Sequence, residues 1–165
     1  MKIFVTLAVV YSISLVLILA FVYKSNQKEP EEEKMSIWMV WFVSVLLALT
    51  PTVAIAIILL TILGSANVVD MLFSLQLSMN QLIMLTIFIL IYLFTIDSII
   101  EIVVKYIVGK RIIYHVIILL SRTFVFYWIA LLLEINQMNS FIIAIGVALI
   151  ILIIELLYHG RKKNK

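Results

Sequence analysis

The stretch IIYHVIILLSRTFVFYWIALLL, residues 112–133, has the composition of a membrane span with an arginine in its middle. A transmembrane helix needs roughly 20 consecutive, mostly apolar residues. A central arginine opposes insertion by about 3 kcal/mol, whereas each Leu, Ile, Val or Phe favours it by about 0.3 to 0.6 kcal/mol. The fourteen Leu, Ile, Val and Phe residues of this stretch outweigh Arg122, so we predict that it spans the membrane.

The remainder of the chain has the same apolar character. Of its 165 residues, 65% are hydrophobic and only 13% are charged, whereas soluble domains are about half apolar and about one quarter charged. Four more runs are long and apolar enough to cross a bilayer, namely residues 3–23, 37–63, 82–108 and 141–158. None alternates like a membrane β-strand, and helices satisfy their own backbone hydrogen bonds. We therefore predict an all-α integral membrane protein with five transmembrane helices.

Composition divides the chain into three parts. Residues 1–23 form an N-terminal transmembrane anchor, residues 24–36 an acidic, charged cytoplasmic linker, and residues 37–165 a four-span membrane domain with a basic tail. A cleaved signal peptide is the alternative for the first segment. Its apolar run is long for a signal peptide, and AFVYKS, residues 20–25, is a poor cleavage site, which favours a retained anchor.

Basic residues are distributed unequally between the two sides of the membrane. With five spans, the first and third connections share one side with the tail and carry ten basic residues, whereas the other side carries Lys2. The ten are Lys24, Lys28, Lys34, Lys105, Lys110, Arg111, Arg161, Lys162, Lys163 and Lys165. Because cytoplasmic loops are enriched in Lys and Arg, we predict a multi-pass protein of the cell membrane with its N-terminus outside and its C-terminus in the cytoplasm.

The predicted connection between spans two and three, residues 64–81, contains an alternating pattern. FSLQLSMN, residues 73–80, places apolar and polar residues in turn. A period of two is typical of an extended segment with one buried face. Because an unpaired strand cannot lie in lipid, we expect this segment at the outer interface or packed on the bundle. The alternative, an ordinary interfacial loop, is the interpretation that we favour.

Two charged residues lie on either side of one tight turn. VGKR, residues 108–111, joins spans three and four, and Gly109 is suited to end a helix. In an antiparallel hairpin centred after Gly109, Asp97 and Arg122 lie at the same level. The sequence therefore predicts that these two side chains face each other within the membrane.

Further polar residues lie near this pair. The predicted intramembrane polar cluster comprises Asp97, Glu101, His115, Arg122 and Glu155. Glu101 follows Asp97 by four residues and His115 precedes Arg122 by seven, so each shares a helical face with its partner. Such a cluster either docks helices or forms part of an ion or proton pathway. Its acids lie near the cytoplasmic end rather than at the midplane, which favours docking.

Motifs that carry catalysis or metal binding are missing from the sequence. It contains no cysteine, no H-E-x-x-H pattern, no glycine-rich phosphate loop and no serine elbow. We therefore predict that the protein is not an enzyme and has no catalytic, cofactor-binding or metal-binding residues. We expect no cofactor and no nucleic-acid partner.

The order of segments from about residue 41 to residue 158 resembles that of a known family. A span that ends at Gly64 is followed by MLFSLQLSMNQLIMLTIFILIYLF and IDSIIEIVVKYI, and then by LSRTFVFYWIALLLE and SFIIAIGVALIILIIELL. This order is similar to the YrvL family of small four-span regulatory membrane proteins from Bacillus-type bacteria. The additional first span departs from that pattern. The resemblance implies a negative regulator that restrains an alternative sigma factor from the membrane, with no catalytic residues.

Three classes of function remain open at this point, of which the third is a purely structural assembly subunit. The first is a regulatory membrane protein that acts by protein–protein binding, with the lipid bilayer and a cytoplasmic or membrane regulatory protein as its partners. The second is a small transporter, channel or immunity-type membrane protein, which would require a water-accessible polar path beyond Asp97 and Arg122. The linker segment KEPEEEK, residues 28–34, is interpreted as a solvated connector because charge runs are commonly solvated, with a docking strip for a basic partner as the alternative.

Overall fold

The structure, a computed structural model, describes residues 2–109 and 112–163 and is all-helical over these residues. The helices are α1 (Lys2–Asn26), α2 (Ile37–Phe73), α3 (Met79–Tyr92), α4 (Ser98–Val108), α5 (Ile112–Leu132) and α6 (Gln137–Lys163). A π-helical turn, Leu93–Asp97, joins α3 to α4 without a break. Within the described residues, five helices are long and apolar enough to cross a membrane, which confirms the predicted fold class.

The chain divides into two compact units, residues 1–58 and residues 59–165. In the first unit, α1 exposes large apolar side chains along its whole length, for example Phe4, Ile13 and Phe21. A helix that is apolar all round lies in lipid or in a core. The exposure of α1 and its composition therefore suit a helix surrounded by lipid.

The linker of the first unit is folded back on itself. The Asn26 side-chain amide donates to the Met35 carbonyl at 2.9 Å, and the Met35 amide donates to the Asn26 side-chain oxygen at 2.8 Å. These two bonds close the loop between them, in which Lys34 pairs with Glu31. The linker is thus an ordered loop whose side chains are exposed.

The predicted connection between spans two and three, residues 64–81, is too long, because its first part is helical. Helix α2 continues through Gly64 to Phe73 and is about 55 Å long at 1.5 Å per residue, which exceeds the roughly 30 Å of hydrocarbon. The apolar run marks where a helix leaves the hydrocarbon, whereas the helix itself ends where its backbone changes conformation. That change comes at Ser74, whose φ is 51°.

The extended interpretation of residues 73–80 was wrong, whereas the favoured alternative, an ordinary connecting loop, agrees with the short connection between Phe73 and Met79. Phe73 belongs to α2, Met79 begins α3, and both are exposed, while Leu75 is buried. Ser74 and Gln76 have φ values of 51° and 57°, so the backbone between them turns and the alternation of faces is lost. The pattern of period two therefore marks a compact turn.

Side-chain hydrogen bonds define this turn and the start of α3. The Ser78 hydroxyl accepts from the Gln81 amide at 3.2 Å, and the Gln81 side-chain oxygen accepts from the Ser78 amide at 3.1 Å, which forms a capping box. The Gln81 side chain also donates to the Leu133 carbonyl at 3.4 Å. Asn139 donates to the Leu75 carbonyl at 3.1 Å. The α2–α3 and α5–α6 connections are therefore joined at one end of the second unit.

Small residues let the helices of the second unit approach closely. Helices α5 and α6 form its most extensive contact, and the fully buried residues include Ala66, Ala130, Ala144 and Ala148. Lipid tails are as apolar as leucine, so van der Waals packing between small residues is what drives association of membrane helices. Gly146 of α6 lies so close to α2 that an added Cβ would be 2.6 Å from the Val69 side chain.

Candidate functional site

Arg122 lies near the middle of α5, and its side chain is only 1% exposed. Its Nε donates to the two Asp97 oxygens at 3.0 and 3.2 Å, and its Nη2 donates to Asp97 Oδ2 at 2.6 Å. The planar guanidinium therefore binds the Asp97 carboxylate through two nitrogens. This bidentate geometry is the one in which arginine binds carboxylates most strongly. The structure thus places Arg122 against the residue that the hairpin register sets opposite it.

Two more carboxylates complete the coordination of Arg122. Nη2 donates to Glu101 Oε1 at 2.8 Å, and Nη1 donates to Glu155 Oε2 at 2.8 Å. The Asp97 side chain is 5% exposed, whereas those of Glu101 and Glu155 are 39% and 42% exposed. Asp97 and Glu101 come from the third span and Glu155 from α6, so one guanidinium joins three spans. We call these four residues the arginine cluster.

Local structure explains why both acids of the third span reach Arg122. Asp97 is the last residue of the π-helical turn, and Glu101 lies one turn later in α4. Residues four apart in a helix lie on the same face. Gly109 ends α4 with a φ of 68°, which suits glycine, and its amide donates to the Lys105 carbonyl at 3.0 Å. Lys110 and Arg111, which continue the predicted turn, lie outside the described residues.

The structure does not bring His115 into the arginine cluster. The His115 ring packs edge-on against Tyr114 with 5.2 Å between ring centroids. Seven residues place His115 on the face of Arg122 but about 10 Å away along the helix axis at 1.5 Å per residue. A shared face was therefore not enough to predict contact. The side chain of His159, four residues beyond Glu155, lies outside the described residues.

The π-helical turn and Tyr92 are parts of this region that the sequence did not reveal. A π-helix bonds residue i to residue i+5, and single π turns are frequent at functional sites. One hydroxyl side chain lies within the turn and another directly follows it. Thr95 donates to the Ile91 carbonyl at 2.6 Å, and Ser98 donates to the Leu93 carbonyl at 3.4 Å. Such hydroxyl groups are the only local feature of the sequence that could indicate the π-helical turn, and they are common in ordinary membrane helices as well.

The chemistry available to the arginine cluster is electrostatic. Arginine stays protonated in proteins, so its guanidinium acts as a fixed cation and as a hydrogen-bond donor. Among the described residues, no group of three or more His, Cys, Asp or Glu is arranged to hold a metal ion. Removing one partner of a buried ion pair is destabilising by about 3–5 kcal/mol, because it leaves a charge uncompensated. The cluster is therefore well suited to fix the arrangement of three helices.

Comparisons with known proteins give no further guide to the function. No family model, no curated protein and no solved structure matches this chain. The residues and their geometry therefore carry the functional argument.

Proposed function

We propose that this chain is a membrane-embedded regulatory protein that acts by binding another protein. The observation that carries the proposal is the full engagement of Arg122 by three carboxylates of its own chain. A guanidinium that binds carboxylates of several helices fixes how those helices pack. The arginine cluster then makes the third, fourth and fifth spans a rigid scaffold, and the connections outside the membrane meet the partner.

The hydrogen bonds of other buried hydroxyl groups support binding over transport. Thr86 donates to the Leu82 carbonyl at 2.8 Å, and Ser140 donates to the Ile135 carbonyl at 3.0 Å. Each of these bonds stays within one helix or its immediate start. In the part of the chain that the structure describes, these groups therefore do not link up into a polar path leading away from the arginine cluster. A transporter or channel requires such a path, so that class is the second candidate.

The linker provides a surface for a partner. Its four glutamates, Glu29, Glu31, Glu32 and Glu33, are exposed on the loop that Asn26 and Met35 close. An ordered loop loses less conformational entropy on binding than a flexible one. A basic cytosolic segment is the complementary partner.

A more specific role comes from the resemblance in residues 41–158. YrvL-like proteins are described as negative regulators, so we propose that the partner belongs to the control of an alternative sigma factor. The proposal needs the linker in the cytoplasm. The excess of basic residues in the first and third connections and the tail supports that orientation, with the N-terminus outside.

Photocrosslinking in native membranes tests this function. A photoreactive amino acid at Glu32 in the linker should yield a covalent adduct with a cytosolic or membrane protein. The same amino acid at Gln76, in the α2–α3 connection, is the matched control and should not yield that adduct. Replacing the other three linker glutamates, Glu29, Glu31 and Glu33, by glutamine should abolish the adduct at unchanged protein level. An adduct that survives this replacement, or no adduct from Glu32, would count against the linker as the binding surface.

A further inference from the structure

An apolar groove lies at the start of α2. Its volume is about 480 Å³, and Ile37, Trp38 and Trp41 line it. Residues three and four apart lie on one face of a helix, so Trp41 shares a face with both Ile37 and Trp38. All three side chains are more than half exposed, so the groove is open to a ligand. We call it the tryptophan groove.

The size and the lining of the tryptophan groove suit a small organic molecule. Pockets that bind such molecules have volumes of about 300–1,000 Å³ and walls that are mostly apolar and aromatic. The face of an indole ring also attracts cations, and tryptophan is the aromatic residue that binds them best. Two of the three lining residues are tryptophans. The groove therefore favours a ligand that is both apolar and positively charged.

The loop that precedes the groove adds negative charge to its surroundings. Lys34 pairs with Glu31, whereas the Glu32 and Glu33 side chains form no ion pair within the described residues. Four residues of chain span at most about 14 Å, so Glu33 stays close to Ile37. The amino end of α2 carries the equivalent of only about half a positive charge, which the two carboxylates outweigh. A cation is therefore the complementary ligand at this end of α2.

Hydrogen bonds fix the conformation of this loop. The two bonds between Asn26 and Met35 close it two residues before the groove begins. Within it, the Glu33 amide donates to the Pro30 carbonyl at 2.9 Å. The loop and the groove both belong to the unit of residues 1–58. An ordered loop loses little conformational entropy when a ligand binds, so its carboxylates are ready to act on a cation in the groove.

We propose that the tryptophan groove binds a lipophilic organic cation. The apolar body of the ligand lies against Trp38 and Trp41, and its charge is attracted by Glu32 and Glu33. Tryptophan is enriched where a membrane meets water, and an amphiphilic cation collects at the same boundary, so the ligand reaches the groove along the membrane surface. This inference goes beyond the proposed regulatory function and does not depend on it, because it requires no protein partner.

Tryptophan fluorescence of the purified full-length protein in phosphatidylcholine vesicles tests the proposal. The chain has three tryptophans, so Trp128→Phe leaves only the two that line the groove. Titration of this variant with tetraphenylphosphonium should give a saturable change in fluorescence. Trp38→Phe/Trp41→Phe, which keeps Trp128, is the matched control. It reports on cation dissolved in the bilayer and should show no saturable change.

The role of charge is tested in the same Trp128→Phe background. Neutral triphenylphosphine oxide should bind more weakly than tetraphenylphosphonium. Glu32→Gln/Glu33→Gln should weaken binding of the cation by about two- to tenfold, since each exposed charge contributes little, and should leave binding of the neutral compound unchanged. Lys28→Gln, the control in the same loop, should not weaken binding of the cation. Equal affinity for the two compounds, an unchanged affinity in the double glutamine variant or a fluorescence change that does not saturate would each overturn the proposal.

Discussion

Asp97 and Arg122 are 25 residues apart in sequence, yet Asp97 Oδ2 and Arg122 Nη2 are 2.6 Å apart, and both side chains are almost completely buried. The antiparallel course of the third span and α5 places the two residues at the same level. Glu101 and Glu155 contact the same guanidinium. Arg122 is therefore shared by three carboxylates, and its removal affects three spans at once.

Replacement of Arg122 should be the most damaging single change in the cluster. Arg122→Leu removes the common partner of three carboxylates and should lower the free energy of unfolding in detergent by about 3–5 kcal/mol. Asp97→Asn should cost less, about 1–3 kcal/mol, because Glu101 and Glu155 still hold the guanidinium. The double change Asp97→Leu/Arg122→Leu should recover part of the loss. Lys105→Leu, at an exposed position of α4, is the control and should stay within about 0.5 kcal/mol of the wild type.

A double-mutant cycle separates this pair from the other contacts of Arg122. We expect a coupling energy between Asp97 and Arg122 larger than that between Glu155 and Arg122, because the Glu155 side chain is 42% exposed and exposed pairs contribute little. A coupling energy of zero between Asp97 and Arg122 would contradict the contact of two guanidinium nitrogens with the buried Asp97 carboxylate.

Two helical glycines should respond oppositely to alanine. At Gly146 the new Cβ would be 2.6 Å from the Val69 side chain, so Gly146→Ala should destabilise the protein by about 1–3 kcal/mol. At Gly64 nothing lies within 4 Å, so Gly64→Ala should be neutral or stabilising by up to about 1 kcal/mol. Unfolding measurements on both variants check the prediction. Val69→Ala should partly rescue Gly146→Ala and would fail to do so if the clash lay elsewhere.

Deletion of one residue from the π-helical turn should preserve the arginine cluster. Without Phe94, which is 53% exposed, Tyr92 and Asp97 become four residues apart, and an α-helix places such residues on one face. Insertion of one alanine after Phe94 should instead rotate Asp97 by about 100° and break the pair. The coupling energy between Asp97 and Arg122, measured in the deletion variant and in the insertion variant, shows whether each variant keeps the ion pair. Loss of coupling in the deletion variant would show that the π geometry itself is required.

Reporter fusions test the proposed orientation. Fusions after Lys34, Gln76, Arg111, Asn136 and Lys165 should report the cytoplasm, outside, cytoplasm, outside and cytoplasm in turn, as the distribution of basic residues predicts. The outer fusion is placed after Gln76 because α2 ends at Phe73. If the reporter after Lys34 lies outside, the proposed orientation is wrong. The linker would then be inaccessible to cytosolic proteins.

Helix number and the level of the charged residues followed from the sequence alone. Insertion free energy is close to a sum over the residues of one segment, so five apolar runs predict five spans without knowledge of their neighbours. Symmetry about the turn at Gly109 was enough to place Asp97 level with Arg122, because a short turn forces the two helices to run antiparallel. The same local reasoning made the connection between spans two and three too long, since hydropathy does not report where a helix ends.

Tertiary structure alone decided which polar residues meet. Glu155 reaches Arg122 because α6 packs closely along α5, whereas His115 shares the face of Arg122 and lies too far along the axis. The edge-on contact of Tyr92 with Phe126 also depends on how the third span fits against α5. Contacts between helices depend on rotation, axial offset and distance together. Hydropathy and periodicity constrain only the rotation of each helix about its axis. The axial offset and the distance between helices are set by packing.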